Sequence, residues 1–150
     1  VKKSLKQSGE EDTARDGMDA AICVLDEKNS IVQYAGANNP LWIIPATGGF
    51  KEIKPDKLPI GIALGEEHPF SMHEVQLKKG DMVYIFSDGF ADQFGGSRNK
   101  KMTSRKFKEV LAEYAGKKAV EQETMLRNYF QEWMGTYEQT DDVLVIGIRI

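Results

Sequence analysis

The chain has 150 residues, with 20 Lys and Arg against 23 Asp and Glu, a net charge of −3 and a pI near 5.5. That length is ordinary for one compact domain. A content of 41% hydrophobic and 29% charged residues is a globular balance, not that of a disordered segment. An acidic chain without a long Lys/Arg run lacks the electrostatic footprint of non-specific nucleic-acid binding, so nucleic acid is not an expected partner. No stretch reaches the ~18 apolar residues of a membrane span, and Val1-Lys2-Lys3-Ser4-Leu5 runs into polar sequence rather than a signal-peptide core. The single Cys23 can form neither an intramolecular disulfide nor a cysteine metal cage. In its apolar run it reads as a buried thiol of a reducing, cytoplasmic compartment.

Residues 1–15 read as the tail of a helix or a linker, and residues 16–150 as the folded core. After Asp16-Gly17-Met18-Asp19, residues 20–25 form a strand apolar on both faces. A turn at 26–30 leads to a second strand at 31–35, so the two read as a hairpin. Gly36-Ala37-Asn38-Asn39-Pro40 turns the chain into a third strand, 41–44, and Thr47-Gly48-Gly49 leads to an alternating strand at 50–53. Residues 54–70, with Pro55, Pro59, Gly61, Gly65 and Pro69, are loop sequence that wraps an edge. Residues 71–77 alternate, with Met72, Val75 and Leu77 expected inward. Residues 82–86 are the clearest buried strand, since neither face carries a charge.

A glycine-containing loop at 95–101 precedes two helices. In the first, Thr103 or Ser104 caps, Phe107, Val110, Leu111 and Tyr114 share a face, and Gly116 suits the C′ position. In the second, Leu126, Tyr129, Phe130 and Trp133 share a face, and Gly135 ends it. Both stripes are expected to be core. Residues 143–150 form a last, strongly apolar strand. Many short strands joined by turns, with few helices, predict antiparallel α+β layers and argue against a βαβ dinucleotide fold.

Two acidic clusters touch the ends of these apolar strands. Asp88 follows 82–87, with Gly89 behind it and Asp92 four residues on, while Asp141 and Asp142 immediately precede Val143. If the two strands are antiparallel neighbours, Asp88 and Asp141 reach the same sheet edge, where unpaired carboxylates repel unless a cation lies between them. Oxygen-only ligation favours Mg²⁺ or Mn²⁺ over Zn²⁺. The alternative is a plain turn at Asp88-Gly89 and a solvated strand entry at Asp141-Asp142. His68 and His73 lack a paired metal spacing and read as surface or satisfied residues.

Five motifs in order resemble one family. They are Ala35-Gly36-Ala37-Asn38-Asn39-Pro40, Leu58-Pro59-Ile60-Gly61, Lys79-Gly80-Asp81, Phe86-Ser87-Asp88-Gly89-Phe90-Ala91-Asp92 and Gln139-Thr140-Asp141-Asp142-Val143. Together, from about Gly17 to Ile150, they resemble the C-terminal portion of the sporulation stage II E-type serine phosphatases, within the protein phosphatase type 2C-like, metal-dependent superfamily. The resemblance implies an α+β fold, a two-layer antiparallel β-sandwich flanked by helices, here truncated at its N-terminus. It also implies hydrolysis of phosphoserine or phosphothreonine with two Mn²⁺ or Mg²⁺ ions, Asp88 and Asp141 being the matching ligands. Gly89, Asp142, Asp19 and Asp16 are then further metal or supporting positions, and Asn38, Asn39, Gly95 and Gly96 shape substrate access. The family's first metal motif is expected upstream of Val1, because Asp16-Gly17 directly precedes a strand and cannot replace it. Ala37 stands where relatives can carry a third-metal carboxylate.

The expected partners are a phosphorylated protein such as an anti-sigma-factor antagonist, an upstream sensory domain in the same chain, and a second copy in a homodimer. The expected location is the cytoplasm, including the cytoplasmic part of a membrane-anchored sensor. The 150 residues alone are expected to bind metal weakly and to turn over poorly. Two further readings are a phosphatase-like module that binds or senses without catalysis, and an unrelated metal-dependent hydrolase or structural domain.

Overall fold

A computed structural model describes residues 17–61 and 69–150. Its elements run β1 (Ala20–Asp26), β2 (Ile31–Ala37), β3 (Leu41–Ile44), β4 (Lys51–Ile53), β5 (His73–Gln76), β6 (Met82–Phe86), α1 (Gly89–Asp92), β7 (Phe94–Gly95), β8 (Lys100–Lys101), α2 (Thr103–Tyr114), α3 (Ala119–Met134) and β9 (Val145–Arg149). The antiparallel α+β class is as expected: every pairing between two of these strands whose register is defined is antiparallel. Among the described residues no helix is long and apolar enough to cross a membrane. The chain divides into two compact units, residues 1–41 with 52–77, and residues 42–51 with 78–150.

The first unit is a sheet in the order β1-β2-β5. The β1–β2 hairpin pairs Ala20 with Ala37 through Asp26 with Ile31, and Asp26 closes its turn by accepting the Asn29 amide at 3.0 Å. Alternation along β2 buries Val32 and Tyr34. On β1 the apolar run is not buried on both faces: Ile22 and Val24 remain 64% and 58% exposed. Met72 is likewise exposed, contrary to expectation, while Val75 and Leu77 are buried. The period of two places 73, 75 and 77 on one face of a strand and 72 on the other. Ahead of β5, Asp56 bridges the end of β2, its N–H donating to the Gly36 carbonyl and its carbonyl accepting from Asn38 N–H.

The second unit carries the order β3-β6-β9 of a four-stranded sheet whose other strand, β4, contains the boundary between the units. β3 and β6 are buried almost throughout, as charge-free strands should be. Their inner face meets α2 and α3 in an aromatic core. Phe107 is fully buried, stacks on Phe90 at 4.3 Å and meets Trp42 at 5.4 Å, while Trp42 meets Phe86 at 4.1 Å. Burying each such ring contributes roughly 1.5–3 kcal/mol. Val110, Leu111, Leu126 and Phe130 complete the expected stripes. Thr103 opens α2 at φ 77, and its hydroxyl accepts the Lys106 N–H at 3.4 Å. Gly135 closes α3 at φ 59. Most of the stretch 95–101, expected to be loop, belongs to the short β7–β8 hairpin, which begins at Phe94.

Tyr84, buried on β6, donates to Gln122 Oε1 at 2.7 Å, and Gln122 in turn donates to the Lys117 carbonyl at 2.8 Å. Arg149 also donates to that carbonyl and to Ala115, at 2.6 Å each. These bonds satisfy the carbonyls left open at the end of α2 and tie the interhelical turn to β6 and β9. β9 is an edge strand on which Ile146 and Ile148 stay 40% and 39% exposed, and Leu144, just before it, 58%.

Candidate metal centre

β6 and β9 pair from Met82–Arg149 to Phe86–Val145, so the C-terminal end of one strand meets the N-terminal end of the other. Asp88 lies two residues past Phe86, and Asp141 and Asp142 lie shortly before Val145. The antiparallel pairing therefore brings both acidic clusters to one sheet edge, as the strand pattern predicts. Ser87 fastens them: its hydroxyl donates to the Asp142 carbonyl at 2.7 Å and accepts the Leu144 N–H at 2.9 Å. Gly89 permits the approach. A Cβ there would press on the Asp142 carbonyl oxygen and lie 3.3 Å from the Asp141 carbonyl carbon, so this glycine is needed for space rather than for an unusual φ.

Asp88, Asp141 and Asp142 are all exposed. Asp141 Oδ1 accepts the Asp142 N–H at 2.6 Å, and its carbonyl accepts from Gln139 Nε2 at 2.7 Å. Solvent-accessible carboxylates brought to one sheet edge form a hard-oxygen donor set suited to Mg²⁺ or Mn²⁺. It is a partial set, since no group of three or more His, Cys, Asp and Glu residues able to hold a metal is gathered among the described residues.

Beyond Asp88, the helical turn α1 ends at Gln93, a fully buried polar residue. Its Nε2 donates to the carbonyls of Phe94 and Glu138, both at 2.9 Å, and its Oε1 accepts the Thr140 N–H at 3.2 Å. Its own carbonyl accepts from Trp133 Nε1 at 3.1 Å and from Met102 N–H at 2.9 Å. Gly95 and Gly96 follow. Gly95 is buried against the Trp133 carbonyl, and Gly96, at φ 66, leaves 3.3 Å between a would-be Cβ and the Trp133 ring. Both glycines thus seat the β7–β8 hairpin on the end of α3.

The remaining expected site residues belong to the first unit, except Asp16, which lies outside the described residues with His68. Asp19 accepts from Asn38 Nδ2 at 2.7 Å, with Asn38 at φ 60. Asn39 takes the Tyr34 hydroxyl on its carbonyl at 2.6 Å, beside Gly36, whose missing Cβ leaves room for that hydroxyl. Burial, reinforced by the negative charges that Cys23, Asp56 and Glu52 can carry, pushes the Tyr34 phenol up to about 12. His73 stacks on Tyr34 at 6.0 Å. Cys23 is half-buried and unpaired, its thiol raised by burial.

The profile of the stage II sporulation protein E (SpoIIE) family matches residues 1–150. The chain belongs to the SpoIIE family. Among solved structures, the SiaA-PP2C domain of Pseudomonas aeruginosa is 27% identical with a TM-score of 0.80, covering 88% of this chain and 51% of that one. The PP2C phosphatase domain with a fragment of the regulatory domain of the cell fate determinant SpoIIE from Bacillus subtilis is 20% identical with a TM-score of 0.67, covering 88% and 37%. The RsbU and RsbW domains of Rv1364c from Mycobacterium tuberculosis are 18% identical with a TM-score of 0.65, covering 87% and 35%. No curated protein matches at a significant level. The fold is thus that of PP2C-type phosphatase domains, and the chain spans about half the length of the first of these structures and about a third of the other two.

Within this SpoIIE-family chain the motifs separate by role. In Lys79-Gly80-Asp81, Gly80 takes φ 91 and its N–H donates to the Ile150 carbonyl at 2.7 Å. The buried Asp81 carboxylate accepts the N–H groups of Ala46 and Lys78, both at 2.9 Å. That motif is a structural turn. An apolar groove of about 730 Å³ between α3 and the β6–β9 pair is lined by residues such as Leu126, Phe130 and Val145, and by neither Asp88 nor Asp141. Its lining reaches Phe90, Gln139 and Val143, beside the acidic edge, without including the carboxylates.

Proposed function

We propose that this chain forms part of the catalytic domain of a metal-dependent protein serine/threonine phosphatase, in which Asp88 and Asp141 hold divalent cations. The observation that carries the reading is the convergence of Asp88-Gly89 and Asp141-Asp142 at one sheet edge in a SpoIIE-family fold. Among the solved relatives are a SpoIIE phosphatase domain presoaked with Mn and RsbX in complex with magnesium, which supports Mn²⁺ or Mg²⁺ as the ion here. When bound, such ions supply charge neutralisation for a phosphate and a lowered pKa for water. This chain's own part is to fix the two carboxylates through the β6–β9 register, to keep backbone close at Gly89, and to leave the edge open to a bulky phosphoprotein.

Further ligands come from outside the described residues, and residues 1–150 are one portion of a single phosphatase domain. The substrate is a phosphoserine on a partner protein, of the anti-sigma-factor-antagonist kind that the motifs imply, and the unpaired Cys23 is in keeping with a cytoplasmic setting.

The test is Asp88→Ala in the full-length protein, followed by Mn²⁺-dependent release of phosphate from a phosphoserine protein. Loss of release by a factor of 10² or more is expected for removal of a metal ligand. Undiminished turnover would refute the assignment.

A further inference from the structure

A glutamine with no exposed surface in a chain turn is unusual, because burying an amide is costly unless every donor and acceptor is matched. Gln93 is matched in full. Both Nε2 protons go to carbonyls, those of Phe94 and Glu138, and Oε1 takes the Thr140 N–H. Bonding the carbonyl of one residue and the N–H of the second residue after it is what a neighbouring strand does in a parallel ladder. The side chain therefore replaces a strand for residues 138–140, which lie outside any strand. Gln93 itself is held by two further bonds to its carbonyl, from Trp133 Nε1 and Met102 N–H, so the clamp is anchored on α3 and on the start of α2.

Asp141 is the next residue after the clamped stretch, and Asp88 is five residues before the clamp itself, separated from it by the four-residue turn α1. Gln93 thus joins the segments carrying the two carboxylates independently of the strand pairing. We propose that Gln93 is a positioning residue for the metal centre, fixing Asp141 relative to Asp88 by clamping residues 138–140. This rests on the reading of Asp88 and Asp141 as metal ligands. Outer groups that orient ligands typically contribute ~10–100-fold to metal affinity, and that is the scale expected here.

The test uses the full-length protein with Mn²⁺ alone as probe, titrated by calorimetry and by the electron paramagnetic resonance of free Mn²⁺, well below the melting temperature. Gln93→Met keeps length and apolar bulk while removing all three side-chain bonds. It is expected to raise the Mn²⁺ dissociation constant ~10-fold and to accelerate hydrogen exchange at the Thr140 amide. Thr140→Pro removes the N–H that Gln93 Oε1 accepts, along with the threonine side chain and the freedom of φ at 140, while leaving the buried glutamine in place, and is expected to weaken Mn²⁺ binding in the same direction. It decides the matter if Gln93→Met does not fold. A dissociation constant within twofold of the parent's, in a protein where Asp88→Ala has lost Mn²⁺ binding, would overturn the role of Gln93. Mn²⁺ binding that survives Asp88→Ala would instead overturn the metal site, and this inference with it.

Discussion

Ser87 and Leu144 exchange hydrogen bonds beyond the last strand pair, Ser87 N–H donating to the Leu144 carbonyl at 3.0 Å and Leu144 N–H donating to Ser87 Oγ at 2.9 Å. The same hydroxyl donates to the Asp142 carbonyl, so one small side chain serves both segments of the acidic edge. Ser87→Ala deprives one backbone donor and one backbone acceptor of their partner, at about 1 kcal/mol for each bond lost. Urea denaturation is expected to show a loss of about 1–2 kcal/mol with an unchanged slope, and Ser87→Thr is expected to keep most of it. Equal stability of the alanine variant would show that water replaces the hydroxyl at no cost.

Gly89→Ala tests the closest approach at the site. The added methyl meets backbone, the Asp142 carbonyl, which cannot rotate away as a side chain would. Overpacking of this kind costs about 1–3 kcal/mol, and the Asp141-Asp142 segment is the part free to move. A drop in melting temperature together with a fall in Mn²⁺-dependent phosphate release is the expected outcome. Retention of both would mean that the edge is looser than its hydrogen bonds imply.

The alkaline limit of the fold follows from two buried phenols. Burial pushes Tyr34 up to about 12, and it pushes Tyr84 equally far, to about 12, against a lowering by Arg149. An ordinary tyrosine ionises near 10, so between about pH 10 and pH 12 the folded chain holds protons that the unfolded chain has released. Stability is therefore complete below pH 10 and declines as pH rises toward 12. Ultraviolet titration of tyrosinate should show these two rings ionising only as the protein unfolds. A reversible titration of all five tyrosines near pH 10 with the fold intact would contradict this.

Strands without charge on either face, β3 and β6, and helices with apolar residues three and four apart were legible because burial dictates their composition. That the segments carrying Asp88 and Asp141-Asp142 lie at the same end of the sheet was legible for a related reason: each abuts such a strand, and antiparallel neighbours share ends. Gln93 was not, since in composition it resembles a surface residue and two of its three side-chain partners are backbone groups more than 40 residues away in sequence. Ser87 was visible only as part of a motif, its two bonds to the β9 entry being a matter of register. Exposure on β1 and β9 was equally hidden, because an aliphatic strand reads the same whether or not something covers its outer face.

The β6–β9 pairing encloses the whole of α2 and α3 in the intervening chain. Closing a loop of that length carries an entropic cost that local contacts do not repay, and non-local strand pairing is the slow kind of contact in folding. The two aspartates are therefore separated in sequence by a helical hairpin that the β6–β9 pairing has to span. Substitutions deep in that hairpin, at Phe107 or Phe130, reach the acidic edge through the rate and completeness of its assembly, without touching a carboxylate.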